Sequence, residues 1–132
     1  MNGTGNQYLL DTNIFIYYFN GDLTVQPLFN EILTGDAIGF YCPISWVELL
    51  CYPALTESEA NQIRSFLRSL TEVSLTEPVL DRTADIRRKY RVPLADALIA
   101  ACAIQIDSIL VTRNVQDFQN IEDLNLLNPF AP

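Results

Sequence analysis

Short apolar runs alternate with longer amphipathic stretches along the chain, and this alternation limits the folds that the chain can adopt. The apolar runs have the length of strands and are bounded by turn or cap residues. They are YLL before Asp11, AIGFYC at 37–42, EVSL at 72–75, SILV at 108–111 and NLLN at 125–128. Helices are predicted between them, over residues 13–19, 26–33, 45–52, 57–70, 79–90 and 94–106. Buried strands that alternate with helices predict an α/β fold, a three-layer α/β/α sandwich with a central parallel sheet.

Two of the predicted helices have a recognisable start. Thr56 followed by Glu59 is the pattern of a capping box, and Pro78 after Glu77 is typical of a first helical turn. The helix after Thr56 also carries an apolar stripe at helical spacing, as expected of a helix that covers a sheet. That stripe consists of Ile63, Phe66, Leu67 and Leu70.

The chain has the size of one domain, because domains commonly contain about 100 to 150 residues. No repeat, low-complexity tract or linker divides it, so we predict a single domain over residues 1–132. Its polar start, MNGTGNQ, predicts flexibility over residues 1–7. That start has no secretory pattern, and the apolar runs are too short to span a bilayer, so we expect a cytoplasmic protein without membrane contact.

The sequence contains no histidine, which excludes Ser/His/Asp and Cys/His nucleophile systems, HExxH zinc sites and histidine general bases. Acidic residues are abundant, with 16 Asp and Glu against eight Lys and Arg. Any chemistry is therefore expected to depend on carboxylates.

The positive charges are concentrated in one segment, although the net charge of −8 argues against broad electrostatic capture of nucleic acid. Five of the eight cations lie between Arg82 and Arg91, and the stretch DRTADIRRKYR nets +3. The segment is either a solvated helix face or a patch that contacts phosphates.

Two acids follow the first two predicted strands. Asp11 comes directly after YLL, where it either caps the helix that starts near Asn13 or ends a strand in a ligand-binding crevice. Glu48 lies in the apolar segment PISWVELL after the second strand. Its alternative is a capping box with Ser45, which would place it on an exposed face.

Asp96 is the most unusual acid, because every other residue from Val92 to Ile104 is apolar. A helix of that composition is largely buried, so its one acid is expected to point inward or into a cleft. A buried acid needs a partner, which here is either a neighbouring arginine such as Arg91 or a metal ion.

Asp117 follows the strand SILV, after a polar exit formed by Thr112, Arg113 and Asn114. Turn chemistry accounts for Asn114 and Asp117 individually. The Thr112 hydroxyl is placed to donate a hydrogen bond to a carboxylate or to a metal-bound water.

All four acids follow predicted parallel strands, and the carboxyl ends of such strands form one crevice. Four carboxylates gathered there would repel one another unless a cation bound between them. Oxygen-rich sites prefer Mg²⁺ or Mn²⁺, so the sequence predicts a divalent-metal site formed by Asp11, Glu48, Asp96 and Asp117.

Four segments resemble the PIN-domain nucleases and, within that family, the VapC-like toxins of bacterial toxin–antitoxin pairs. They are LLDTNIFIYYF, ISWVELL, RVPLADALIAACAI and LVTRNVQDF, and they occur in the order and spacing that the family uses. The resemblance covers nearly the whole chain. It implies a PIN-like α/β/α fold with Asp11, Glu48, Asp96 and Asp117 as metal-binding catalytic acids. The fourth acid of the family falls at either Asn114 or Asp117, and Thr112 corresponds to its small polar auxiliary residue.

The resemblance also implies a function, namely Mg²⁺- or Mn²⁺-dependent hydrolysis of RNA phosphodiester bonds. It further implies an antitoxin protein as partner and a homodimer. We expect the basic segment to contact RNA through Arg87, Arg88, Lys89 and Arg91. The alternative is a non-catalytic PIN-fold module that binds RNA or protein.

Overall fold

The structure, a computed structural model, describes residues 5–132 of the chain. This part of the chain contains five strands and seven helices. In chain order they are β1 (Gln7–Leu10), α1 (Thr12–Phe19), α2 (Gln26–Leu33), β2 (Ile38–Tyr41), α3 (Pro43–Leu50), α4 (Glu57–Arg68), β3 (Thr71–Glu72), α5 (Glu77–Tyr90), α6 (Leu94–Gln105), β4 (Ile109–Val111), α7 (Val115–Phe118) and β5 (Asn125–Leu127).

The strands form one sheet in the order β3-β2-β1-β4-β5, and every neighbouring pair is parallel. The central strand β1 pairs on both sides, with Tyr8 opposite Gly39 of β2 and Ile109 of β4. The predicted central parallel sheet is thus confirmed. Because all strands run the same way, their carboxyl ends lie at one edge of the sheet.

Helices cover both faces of the sheet, so the predicted three-layer α/β/α arrangement is also confirmed. Successive strand residues point to opposite faces, and two cores result. Leu9 and Leu110 pack in a core with α5 and α6, whereas Leu10 and Val111 pack in a second core with α1, α2 and α4. The two cores hold the strand ends in place from both sides.

Most helix starts agree with the sequence. The capping box of Thr56 and Glu59 is present at the start of α4, and Pro78 lies in the first turn of α5. α3 begins at Pro43 rather than at the predicted residue 45, because proline already has the backbone angle of a first helical residue. The four-residue helix α7 was not predicted, since it is too short to show helical periodicity.

Two expectations concern the start of the chain and the membrane. Of the segment 1–7 that was predicted to be flexible, residues 1–4 lie outside the described residues, and Gln7 pairs with Ile38 in the sheet. None of the helices within residues 5–132 is long and apolar enough to cross a membrane.

Candidate active site

Asp11 lies at the end of the central strand β1 and has the helix-capping role that the sequence offered for it. It is the N-cap of α1, where its Oδ1 accepts a hydrogen bond from the Thr12 amide at 2.9 Å. Its Oδ2 accepts one from the Thr112 hydroxyl at 2.8 Å, and its own amide donates to the Val111 carbonyl at 3.0 Å. The residue is only 6% exposed, so its carboxylate is fixed between two strand ends.

Burial is the main influence on the Asp11 carboxyl and raises its pKa above the ordinary value. The hydrogen bonds from Thr112 and from the Thr12 amide oppose this increase, while the charges of Glu48 and Asp117 add to it. Charges act on Asp11 from two other elements, which indicates that the acids share one region.

Glu48 is held in this region by two hydroxyl side chains. Thr12 Oγ1 donates a hydrogen bond to Glu48 Oε1 at 2.6 Å and lies 2.7 Å from the Ser45 hydroxyl. The alternative of a capping box between Ser45 and Glu48 is wrong, because α3 starts at Pro43 with Cys42 as its N-cap. Ser45 is instead fully buried, and Glu48 lies on the side of α3 that faces the start of α1.

Asp96 lies in the first turn of α6 and is partly buried. Burial raises the pKa of its carboxyl to about 6, with further contributions from the charges of Asp11, Asp117 and Glu48. None of the ion pairs within residues 5–132 includes Asp96. Arg91, the alternative partner, is exposed and ends α5 in a left-handed conformation.

Asp117 and Asn114 lie together in the turn after β4. Asn114 is the N-cap of α7, and its backbone amide donates a hydrogen bond to Thr112 Oγ1 at 3.0 Å. The Asp117 backbone amide donates to the backbone carbonyl of Asn114 at 3.1 Å. Asp117 is exposed, yet its charge raises the pKa of both Asp11 and Asp96. Both residues therefore stay candidates for the fourth position.

Two polar residues of the region, Thr12 and Ser45, were not predicted from the sequence as site residues. Their hydroxyl groups lie between Asp11 and Glu48 and are nearly or fully buried. The available signal was the position of Thr12 directly after Asp11 and the presence of a small polar residue within the apolar helix α3.

The donor set of this region fits a divalent cation. It consists of oxygen atoms, and burial together with the charges of neighbouring acids raises the pKa of two of its carboxyls, Asp11 and Asp96. Within the described residues, no three His, Cys, Asp or Glu side chains already form a group that could hold a metal ion. The four acids are thus interacting charges that share one edge of the sheet and do not form an assembled ligand group.

Comparison with known proteins places the chain in a family. The model of the PIN domain matches residues 8–124, which include β4 and all four acids. The chain belongs to the PIN-domain family. This membership confirms the resemblance seen in the sequence, although it does not by itself assign a role to any residue.

Two curated relatives of this PIN-domain chain are named as ribonucleases. Ribonuclease VapC19 of Mycobacterium tuberculosis is 28% identical over 121 residues, which cover 88% of this chain and 95% of the relative. Ribonuclease VapC1 of Haemophilus influenzae is 27% identical over 126 residues, covering 89% and 93%. The similarity therefore extends over nearly the full length of each protein.

Solved structures share the same PIN fold. A toxin–antitoxin complex from Klebsiella pneumoniae contains a chain with a TM-score of 0.78 and 25% identity, with 95% of this chain and 99% of that chain covered. A chain of VapBC2 from Rickettsia felis, solved with a promoter DNA fragment, has a TM-score of 0.76 and 23% identity, with 92% and 98% covered. The second comparison, at its lower identity, supports the fold alone.

The four predicted RNA-binding residues lie at the end of α5, where three of them have partners within the protein. Arg87 donates to the Val92 carbonyl at 2.9 Å, Arg88 pairs with Asp85, and Lys89 lies 3.6 Å from Glu122. Arg91 lines a cavity of about 230 Å³ that also contains Asp117 and Gln116. The basic segment thus reaches the acidic region at Arg91.

We predict that Thr112→Val will destabilise the protein by about 1 to 3 kcal/mol, because it leaves the buried Asp11 carboxylate without its hydroxyl donor. Thr112→Ser retains that donor and should cost much less. Denaturant unfolding at pH 7 measures both. No loss in Thr112→Val would contradict the role given to the hydrogen bond. A loss in Thr112→Ser as large as that in Thr112→Val would show that the methyl group contributes as much as the hydroxyl.

The raised pKa of Asp96 predicts a pH effect on the stability of the metal-free protein. A folded pKa of about 6, above the model value of 3.8, means that the folded state binds the proton more tightly than the unfolded state. The penalty for ionising Asp96 is therefore absent below pH 4 and fully present above pH 6. In EDTA at pH 7, Asp96→Asn should be more stable than the parent by roughly 1 to 2 kcal/mol after allowance for solvent screening.

Melting curves of both proteins from pH 4 to pH 8 measure this effect. The stability difference should shrink as the pH falls from 7 to 4. A difference that stays constant over this range would contradict the assignment of the penalty to Asp96 ionisation.

Proposed function

We propose that this PIN-domain protein is a metal-dependent endoribonuclease that hydrolyses RNA phosphodiester bonds and acts as the toxin of a toxin–antitoxin pair. The observation that carries the proposal is the placement of the acids at the carboxyl edge of the sheet. Asp11 accepts a hydrogen bond from Thr112 at the end of β4, Thr12 donates one to Glu48, and the charges of Asp11, Glu48 and Asp117 raise the pKa of Asp96. Perturbed acids of this kind, grouped at the carboxyl edge of a parallel sheet, are typical of functional sites.

The proposed metal ligands are Asp11, Asp96 and Asp117, with Glu48 binding directly or through water. Thr112 and Thr12 would orient Asp11 and Glu48 through their present hydrogen bonds of 2.8 and 2.6 Å. Asn114 is an alternative or additional ligand through its amide oxygen. A bound Mg²⁺ or Mn²⁺ would supply activation of the attacking water and stabilisation of negative charge on the phosphate oxygens.

The protein needs no nucleophile of its own for this reaction. Asp11 is held in one orientation, because each of its oxygens accepts a hydrogen bond. Asp96 has no such bonds among the described residues, and its pKa is raised by burial and by the charges of three neighbouring acids. Once a cation binds, we expect Asp96 to become fully ionised and to act as a ligand.

The choice of RNA as substrate is supported by the relatives, since both are named as ribonucleases. The structure adds the basic end of α5. Arg91 shares a cavity with Asp117, so a phosphate bound by Arg91 would lie beside the acidic region. We infer that the segment from Arg82 to Arg91 guides RNA toward the acids.

Removing the charge of Arg91 should weaken binding of single-stranded RNA. For Arg91→Gln, the slope of log affinity against log salt should decrease by about 0.7, the value for one lost phosphate contact. Arg88→Gln is the comparison, because Arg88 already pairs with Asp85 and should contribute less. Fluorescence anisotropy at several salt concentrations gives the slopes. Unchanged binding in both variants would remove this segment from the RNA interface.

The antitoxin partner is supported by the solved structure from Klebsiella pneumoniae, which is a toxin–antitoxin complex. Large apolar side chains are exposed on this chain and are available for a protein partner or a second copy, so we also propose a homodimer. They include Phe19, Val47, Tyr52 and Leu94. Such a pair would act in the cytoplasm, where the RNA substrate is found.

The direct test is incubation of the purified protein with total RNA, with and without Mn²⁺ or Mg²⁺. Cleavage should require the metal, and Asp96→Asn should reduce it by roughly 100-fold or more, since it removes a charged ligand. Asp107→Asn is a matched control, because Asp107 lies just after the same helix, is exposed and has a left-handed conformation that Asn tolerates.

Cleavage that survives both EDTA and Asp96→Asn would contradict the proposed mechanism. RNA binding without cleavage under any metal condition would instead favour the alternative, a non-catalytic PIN-fold binding module.

A further inference from the structure

Arg113 is held on the surface by two aromatic rings. Its guanidinium lies 4.1 Å from the centre of the Phe130 ring and 5.4 Å from that of Tyr17, and its Nη1 donates to the Tyr17 hydroxyl at 3.2 Å. The two rings are themselves in contact, with centroids 4.8 Å apart. Contacts of this kind restrict the side chain to one orientation and stabilise its charge.

The position of this cluster follows from β4. Thr112 and Arg113 are consecutive residues after the strand, and Thr112 is buried against Asp11 whereas Arg113 is exposed. Phe130 is brought to Arg113 by a turn after β5, in which its amide donates to Asn128 Oδ1 at 3.0 Å. Three separate parts of the chain thus build the cluster next to the acidic region.

Arg113 lies near the acids of the site without pairing with one of them in the described part of the chain. None of the ion pairs formed within residues 5–132 includes it. It nevertheless lines a cavity of about 350 Å³ together with Asp117, Asn114 and Asn128. The rings hold the guanidinium in the cavity wall and not on the Asp117 carboxylate, so its remaining N–H groups are free to bind an anion.

The cavity has the chemistry of a nucleotide subsite. Its volume lies near the lower end of the range for ligand pockets. A guanidinium offers two parallel N–H groups that match the geometry of a phosphate, while three amide side chains, those of Asn114, Gln116 and Asn128, line the same cavity. A positive group on the rim would also offset the repulsion between RNA and the four acids.

We infer that Arg113, positioned by Tyr17 and Phe130, binds the phosphate of the nucleotide next to the phosphodiester that the acids cleave. The inference rests on the proposed function, because it takes RNA as the ligand. It assigns Arg113 to substrate binding, and Tyr17 and Phe130 to the positioning of its guanidinium.

Binding is best measured in the Asp96→Asn background, so that the RNA stays intact. A fluorescent single-stranded RNA in Mg²⁺ should bind roughly 5- to 10-fold more weakly to Asp96→Asn/Arg113→Gln than to Asp96→Asn. The slope of log affinity against log salt should fall by about 0.7, as expected for one phosphate contact in a single strand. Arg113→Lys should keep most of that slope, because it keeps the charge, but should bind more weakly than arginine.

Two further variants separate this role from general effects of charge and stability. Arg68→Gln is the matched control, since Arg68 also stacks on an aromatic ring, with its guanidinium 5.8 Å from the centre of the Trp46 ring. Arg68 does not line the cavity that contains Arg113 and Asp117. The variant should leave both affinity and slope unchanged. Phe130→Leu should weaken binding without changing the slope, because it disturbs the orientation of Arg113 and not its charge. Melting temperatures show whether each variant is folded.

The bound phosphate can be located with oligonucleotides that each carry one uncharged methylphosphonate linkage. At one position in the RNA, the methylphosphonate should weaken binding to Asp96→Asn. The same substitution should cause no further loss in Asp96→Asn/Arg113→Gln, which already lacks the contact. The inference would be overturned if Asp96→Asn/Arg113→Gln bound RNA with the same affinity and slope as Asp96→Asn. A loss of affinity on Arg113→Gln no larger than that on Arg68→Gln would overturn it as well.

Cleavage kinetics distinguish a failure of this inference from a failure of the proposed function. If the parent protein cleaves RNA with Mn²⁺ and Arg113→Gln has an unchanged KM, only the inference fails. An increase in KM of at least 5-fold with little change in kcat supports it. If the parent does not cleave RNA but Arg113→Gln still weakens binding, the proposed nuclease activity fails and the subsite stands.

Discussion

The hydrogen bonds of Asp11 connect the central strand, the first helix and the neighbouring strand, and the rest of the site depends on them. One carboxylate oxygen caps α1 through the Thr12 amide, and the other accepts from Thr112 at the end of β4. The Asp11 amide also continues the pairing of β1 with β4 through the Val111 carbonyl. An N-cap of this kind contributes about 1 kcal/mol, which partly offsets the cost of burying the charge.

Gathering these acids in one region destabilises the folded state. Four acids from α3, α6, α7 and the end of β1 influence one another, and burial raises the pKa of two of them, Asp11 and Asp96. Two apolar cores, one on each face of the sheet, supply the stability that such repulsion requires. Carboxylates that bind a cation commonly repel one another when the cation is absent, because their positions suit the ion.

The sequence was most informative where a residue conflicted with its surroundings. Asp96 was recognised because a single acid in an apolar helix is anomalous, and its raised pKa agrees with that interpretation. The parallel sheet was predictable because buried strands alternated with helices. Thr12 and Ser45 gave only a weak signal, since small hydroxyl residues are common at helix starts, and α7 was too short for any periodicity.

The sequence by itself therefore determined the α/β architecture, the order of the elements and the acids that follow the strands. Only the tertiary structure decided which hydroxyl meets which carboxylate, as in the contact of Thr12 with Glu48 across 36 positions and of Thr112 with Asp11 across 101. It likewise brought Phe130 and Tyr17 to Arg113. The physical reason is that periodicity and burial act locally, whereas these contacts depend on the strand order, which local sequence does not encode.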